Sequence, residues 1–187
     1  MARSIDRVRD YFRANNLQIE ILELPASTRT AQLAAEAVGS GLGQIVKSLV
    51  FVTDDGRTVL ALVAGDRRAD PRQIARAVDA RSVELANAEQ VRARTGFAVG
   101  GVAPFAYADG SKIAATLMDD SLPRFETLWA AAGAPNAVFP IGREKLMELT
   151  AARVEKIAMS DEESAVSKSS PSPSSPKRSS GAFSPDV

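Results

Sequence analysis

In "RSIDRVRDYFRANN", Ile5, Val8, Tyr11 and Phe12 recur at the spacing that places them on one side of a helix. "QIEILELP" then alternates apolar and polar positions, as a half-buried strand does. "TRTAQLAAEAVG" returns to an alanine-rich helical composition, with Thr28 or Thr30 available as N-cap and Gly39 as terminator. Two β-branched runs follow in "QIVKSLVFVTDDGRTVLALVAG", joined by "DDGR", the strongest hairpin signal in the chain. Both runs are apolar on both faces, which predicts strands in the middle of a covered sheet.

Beyond the hairpin, "DPRQIARAVDA" reads as a helix with Pro71 in its first turn, and "RSVELA" as a short strand. "NAEQVRART" is a further helix, with Asn87 and Gln90 spaced as a capping box and Gly96 at its end. "KIAATLM", "FETLWAAAG" and "NAVFPIG" are strand candidates, "REKLMELT" a helix, and "ARVEKIA" a last short strand. No internal repeat is present. The sum is an α+β domain whose mixed sheet is strongly curved and barrel-like, with helices at its periphery. One domain, residues 1–159, accounts for this pattern. From Ser160 the chain reads "SDEESAVSKSSPSPSSPKRSSGAFSPDV", where large apolar residues nearly vanish. Residues 160–187 bury too little to offset their ordering entropy and are expected to be disordered. Their Ser-Pro steps and "PKR" suit modification or docking, or a solvated tail without a specific role.

Composition narrows the chemistry. The 187 residues are 45% hydrophobic and 25% charged, near the average for a globular protein. The N-terminus carries charges throughout and no apolar run approaches the roughly 18 residues of a membrane span, so a soluble, cytoplasmic protein is expected. The chain has Cys 0 and His 0. Thiolate catalysis, zinc–sulfur sites, Ser-His-Asp or Cys-His pairs and an imidazole base near pH 7 are therefore excluded. No metal or cofactor is called for. A formal net charge of +0 argues against tight, sequence-independent binding to nucleic acid over a broad basic face, and DNA is not an expected partner.

Two features stand out against that background. Lys47 lies in "IVKSLVF", where every neighbour except Ser48 is apolar. Its ammonium either reaches water along its stem or points into a cleft, where partial desolvation would lower its pKa and strengthen its effect on a nearby anion or carbonyl. The second feature is "GFAVGGVAPF", Gly96 to Phe105, apolar enough for a buried strand yet interrupted by two adjacent glycines and a proline. The segment is either a bulge or bend, or a place where backbone N–H groups approach a ligand closely. It lacks the endings of a Walker or dinucleotide loop.

The alanine-rich helix, then "GQIVKSLVF", then "TGFAVGGVAPF" about fifty residues later together resemble the YbaK and prolyl-tRNA synthetase-associated editing domains, relatives of the insertion domain of bacterial prolyl-tRNA synthetase. The likeness runs from about residue 17 to 158. The family's lysine falls on Lys47 and its Gly-x-x-x-Pro loop on Gly100 to Pro104, "GGVAP"; Asp119 matches an acidic position. The resemblance implies hydrolysis in trans of a mischarged aminoacyl-tRNA ester, with Lys47, Gly100 and Gly101 as catalytic elements and Thr30, Val102, Ala103, Pro104 and Asp119 as substrate contacts. It implies that loop amides receive the oxyanion and that a hydroxyl of the terminal adenosine positions the water. Lys47 would hold the terminal nucleotide or add positive field at the carbonyl. Prolyl-tRNA synthetase or an elongation factor would be the delivering partner.

Ala103 stands where many relatives have a serine, and "AAAGAPNAVF" lacks a serine and an aspartate common there. An apolar pocket of this kind discriminates by size, which points to a small amino acid such as alanine or 2-aminobutyrate on a proline tRNA. A non-catalytic module that binds an acceptor stem or a synthetase on the same fold is the alternative.

Overall fold

The computed structural model describes residues 4–25 and 30–159, so the serine- and proline-rich segment, with the disorder expected of it, lies outside the described residues. Within them the order is α1 (Ser4–Ala14), β1 (Leu22–Glu23), α2 (Ala31–Val38), β2 (Ile45–Thr53), β3 (Thr58–Ala64), α3 (Pro71–Ala77), β4 (Val83–Leu85), α4 (Ala88–Thr95), β5 (Ala115–Asp119), β6 (Thr127–Ala131), β7 (Ala137–Gly142), α5 (Arg143–Thr150) and β8 (Arg153–Glu155). None of these helices is long and apolar enough to cross a membrane.

The β-branched runs form the central hairpin, β2 against β3 with Val46 opposite Ala64 through Val52 opposite Thr58. Its turn is set locally. Gly56 takes φ 84°, and the Thr53 hydroxyl accepts the Arg57 N–H at 2.8 Å. All seven residues of β3 are buried, as the two-faced apolar pattern predicts. The sheet runs β1-β7-β6-β2-β3-β5-β8, with β4 also on β2. It is mixed: β2 with β6, β3 with β5 and β5 with β8 are parallel, and the remaining pairs are antiparallel.

Alternation along β2 divides the interior in two. Val46, Val50 and Val52 face the larger core, which also takes residues from α1, β3, β5, β6 and β7, so the sheet curls around that side. Leu49 and Phe51 face a smaller core under α3, where Ile74, Ala75 and Val78 cover Val59, Ala61 and Val63. In the larger core Phe12 of α1 meets Phe105 and Phe139 edge-on, with ring centroids 5.9 and 5.0 Å away. Each fully buried side chain of this size contributes roughly 1.5–3 kcal/mol from removal of apolar surface.

Three elements are shorter than their patterns suggest. "QIEILELP" pairs only at Leu22 and Glu23, against Val138 and Ala137 of β7. "RSVELA" pairs at Val83–Leu85, and "KIAATLM" enters the sheet only at Ala115. β1 and β4 are at edges of the sheet and β5 is between β3 and β8; in each case pairing depends on a distant strand rather than on local alternation.

Candidate functional site

β2 has unlike neighbours along its second edge. β6 pairs with Ile45 and Val46, β4 pairs with Phe51 to Thr53, and the Ala86 N–H reaches the Val50 carbonyl at 2.9 Å. Between these two strands the sheet is split, and Lys47 to Leu49 have β3 as their only strand partner. A cavity of about 300 Å³ opens there. Thr30, Ala31 and Ala34 of α2 line it on one side, Val99, Gly100 and Val102 on another, and Trp129, Ala131, Pro135 and Val138 on a third. The volume is at the low end for small-molecule sites, and the lining is mostly aliphatic.

The Gly96–Phe105 segment is not a strand. Gly96 closes α4 in the left-handed region, φ 73°, and its carbonyl accepts from the Arg7 guanidinium at 2.9 Å. Phe97 is fully buried, with Arg7 stacked on its ring at 4.6 Å. The chain then turns through Gly100, φ 83°, and the turn is tied by the Gly101 N–H to the Ala98 carbonyl at 3.0 Å. Gly101 lies so close to the next loop that a Cβ would be 2.7 Å from Ala134 Cα and 2.8 Å from its backbone N and C. From Gly101 to Phe105 the segment is buried, which explains its apolar composition without a strand.

The predicted loop residues therefore separate. Gly100 and Val102 are on the cavity wall. The amide of Gly101 is bonded within the turn, and the residue packs closely against Ala134. Ala103 is wholly buried in the larger core, and Pro104 is buried with its carbonyl accepting from the Tyr107 hydroxyl at 2.7 Å. Neither lines the cavity. Among the described residues the N–H groups of Gly100, Val102 and Ala103 have no acceptor.

Lys47 belongs to the cavity wall, but its ammonium goes to the α3 side of the sheet, where it donates to the Arg67 carbonyl. Burial pushes its pKa down from the ordinary lysine value, and the carboxylates of Asp66 and Asp119 oppose the shift. Asp119, expected as a substrate contact, is buried and is not among the residues that line the cavity. One oxygen accepts the Ile157 N–H at 3.3 Å, and the other accepts both the N–H, at 3.2 Å, and the hydroxyl of Ser121. Its charge acts on the Lys47 ammonium. Thr30 is in the wall and also caps α2, its hydroxyl accepting the Leu33 N–H at 3.2 Å. Among the described residues no cluster of three or more carboxylates could hold a metal ion.

Sequence reasoning passed over several wall residues, among them Trp129, Pro135, Leu85 and Ser48. The first three carry no local signal, because the sheet order alone brings them together. For Ser48 alternation says only that it is on the face of β2 opposite to Lys47; the structure places that face, with Val46 and Val50, toward Val102.

A family model described as the aminoacyl-tRNA editing domain matches residues 25–149. An uncharacterised Bacillus subtilis protein, YwhH, is 30% identical over 151 residues, which are 81% of this chain and 94% of that one. A protein of Enterococcus faecalis named as a candidate Cys-tRNA(Pro)/Cys-tRNA(Cys) deacylase is 26% identical over 121 residues, 65% of this chain and 72% of its own. Among solved structures, a candidate trans-editing enzyme for prolyl-tRNA synthetase superposes with a TM-score of 0.78 at 38% identity, covering 86% of this chain and 99% of that one.

Proposed function

The chain belongs to the aminoacyl-tRNA editing domain family, and on that premise we propose that it is a deacylase that hydrolyses the ester of a mischarged tRNA in trans. The observation that carries this reading is the cavity itself. It is an apolar pocket of about 300 Å³ beside the Gly100–Val102 turn, with Lys47 in the same wall.

An aminoacyl ester is already activated, so the site needs to place a water and stabilise the charge that develops on the carbonyl oxygen. In the reaction the water oxygen bonds to the carbonyl carbon, the bond from that carbon to the ribose oxygen breaks, and the ribose oxygen leaves with a proton. The amides of Gly100 and Val102, which have no internal acceptor among the described residues, are the donors assigned to the oxyanion. Lys47 grips the terminal nucleotide: its ammonium is on the far face of β2 from the turn, and the Arg67 carbonyl takes one of its three donors. The carboxylates of Asp66 and Asp119 oppose the lowering of its pKa by burial. Aliphatic walls favour a small apolar side chain such as alanine or 2-aminobutyrate, and a proline tRNA is the proposed carrier.

A deacylation panel tests this reading. Mischarged tRNAs bearing alanine, 2-aminobutyrate, cysteine, serine and threonine, on proline and other acceptors, are incubated with the wild type and with Lys47→Ala. Alanine or 2-aminobutyrate on the proline tRNA should be released fastest, and Lys47→Ala should lose hydrolysis while keeping its melting temperature. Unchanged rates in the variant would remove Lys47 from the mechanism. No release from any tRNA would leave a non-catalytic module that binds an acceptor stem or a synthetase.

A further inference from the structure

Ser48 is the one place in the described structure where a buried side-chain oxygen or nitrogen has no hydrogen-bond partner: its Oγ is shut off from solvent and unpaired. A buried hydroxyl without a partner costs about 1–3 kcal/mol, so the position calls for an explanation. Its backbone is open as well. The Val50 carbonyl points across the split edge to Ala86, and alternate residues of a strand present their polar groups to the same edge. The N–H and C=O of Ser48 therefore face the split between β4 and β6, where no strand pairs with them. Ser48 lines a cavity whose remaining lining is aliphatic apart from Thr30, Lys47 and Trp129.

The ligand group that suits two neighbouring oxygens, one of them purely an acceptor, is a multiple N–H donor. An ester carbonyl cannot satisfy the Ser48 carbonyl, and an aliphatic side chain can satisfy neither oxygen. We propose that Ser48 binds the α-amino group of the amino acid being removed, through Oγ and its main-chain carbonyl, and so orients the ester toward the Gly100–Val102 turn. The inference rests on the deacylase reading and adds an orienting element to it. The α-amino group is common to all amino acids, so Ser48 fixes orientation while the aliphatic walls select side-chain size.

The test compares two esters of the same tRNA, alanyl and propionyl, which differ only in the α-amino group, in single-turnover hydrolysis by the wild type, Ser48→Ala and Ser48→Thr. Ser48→Ala should slow alanyl release about tenfold, the size of one hydrogen bond to an amine, and leave propionyl release unchanged. Ser48→Thr, which keeps the hydroxyl, should recover most of the alanyl rate. The melting temperature of Ser48→Ala should stay level or rise, since an unpaired hydroxyl is removed. Equal slowing of both esters, or of neither, would overturn the assignment. A wild type inactive on every ester would instead overturn the deacylase reading, and this inference with it.

Discussion

Gly100 and Gly101 are adjacent but answer to different constraints. Gly100 needs its positive φ of 83°, while the nearest atom to an added Cβ would be Pro135 Cβ at an ordinary 3.6 Å. Gly101 has no such φ but has no room, with the Ala134 backbone 2.7–2.8 Å from an added Cβ. Gly100→Ala should cost about 1 kcal/mol of stability, from left-handed strain, and cut turnover more than substrate binding because the turn carries the proposed oxyanion donors. Gly101→Ala should cost more, about 1–3 kcal/mol, because backbone must move. Urea unfolding paired with single-turnover rates separates the two effects. A Gly101→Ala protein as stable as the wild type would contradict the packing assigned to that residue, and full rates in Gly100→Ala would remove the turn from the chemistry.

At the scale of elements, α2 joins stability to the site, because Thr30 is both its N-cap and part of the cavity wall. Thr30→Ala should lose about 1 kcal/mol, a fall of roughly 2–4 °C in melting temperature, and Thr30→Asp should restore the cap. Calorimetry of the three proteins checks this, and no loss in the alanine variant would mean that the cap is not stabilising. Such caps are legible in sequence because their chemistry is local: Gly39 and Gly96 in the left-handed region, Pro71 in the first turn, and Asn87 with Gln90 as a reciprocal pair are all where the residue types predict. The split in the sheet was not legible. It arises because β4 and β6 meet β2 at opposite ends, and nothing local to either strand records that spacing. For the same reason the two-faced apolar pattern of β2 could not say which face is toward the Gly100–Val102 turn. Lys47 is conspicuous in sequence as the charged residue, while Ser48, one position on, is on the face of β2 toward that turn. An acidic residue at a strand end, such as Asp119, reads alike in sequence whether it meets a ligand or bonds to Ile157 and Ser121, as it does here.

Across the whole molecule, the curled sheet puts its larger core on one side and its smaller core on the other, and leaves the cavity at the seam of β2. The site thus rests on the longest strand and on a buried, tightly packed turn, which suits a reaction that depends on placing groups rather than on moving protons with histidine. The account is tested most directly by single-turnover release of alanine from alanyl-tRNA(Pro) by the wild-type chain, with prolyl-tRNA(Pro) as the correctly charged control. It predicts alanine release well above the spontaneous rate and prolyl-tRNA(Pro) left intact. Alanine release at only the spontaneous rate, with enzyme in large excess, would contradict it.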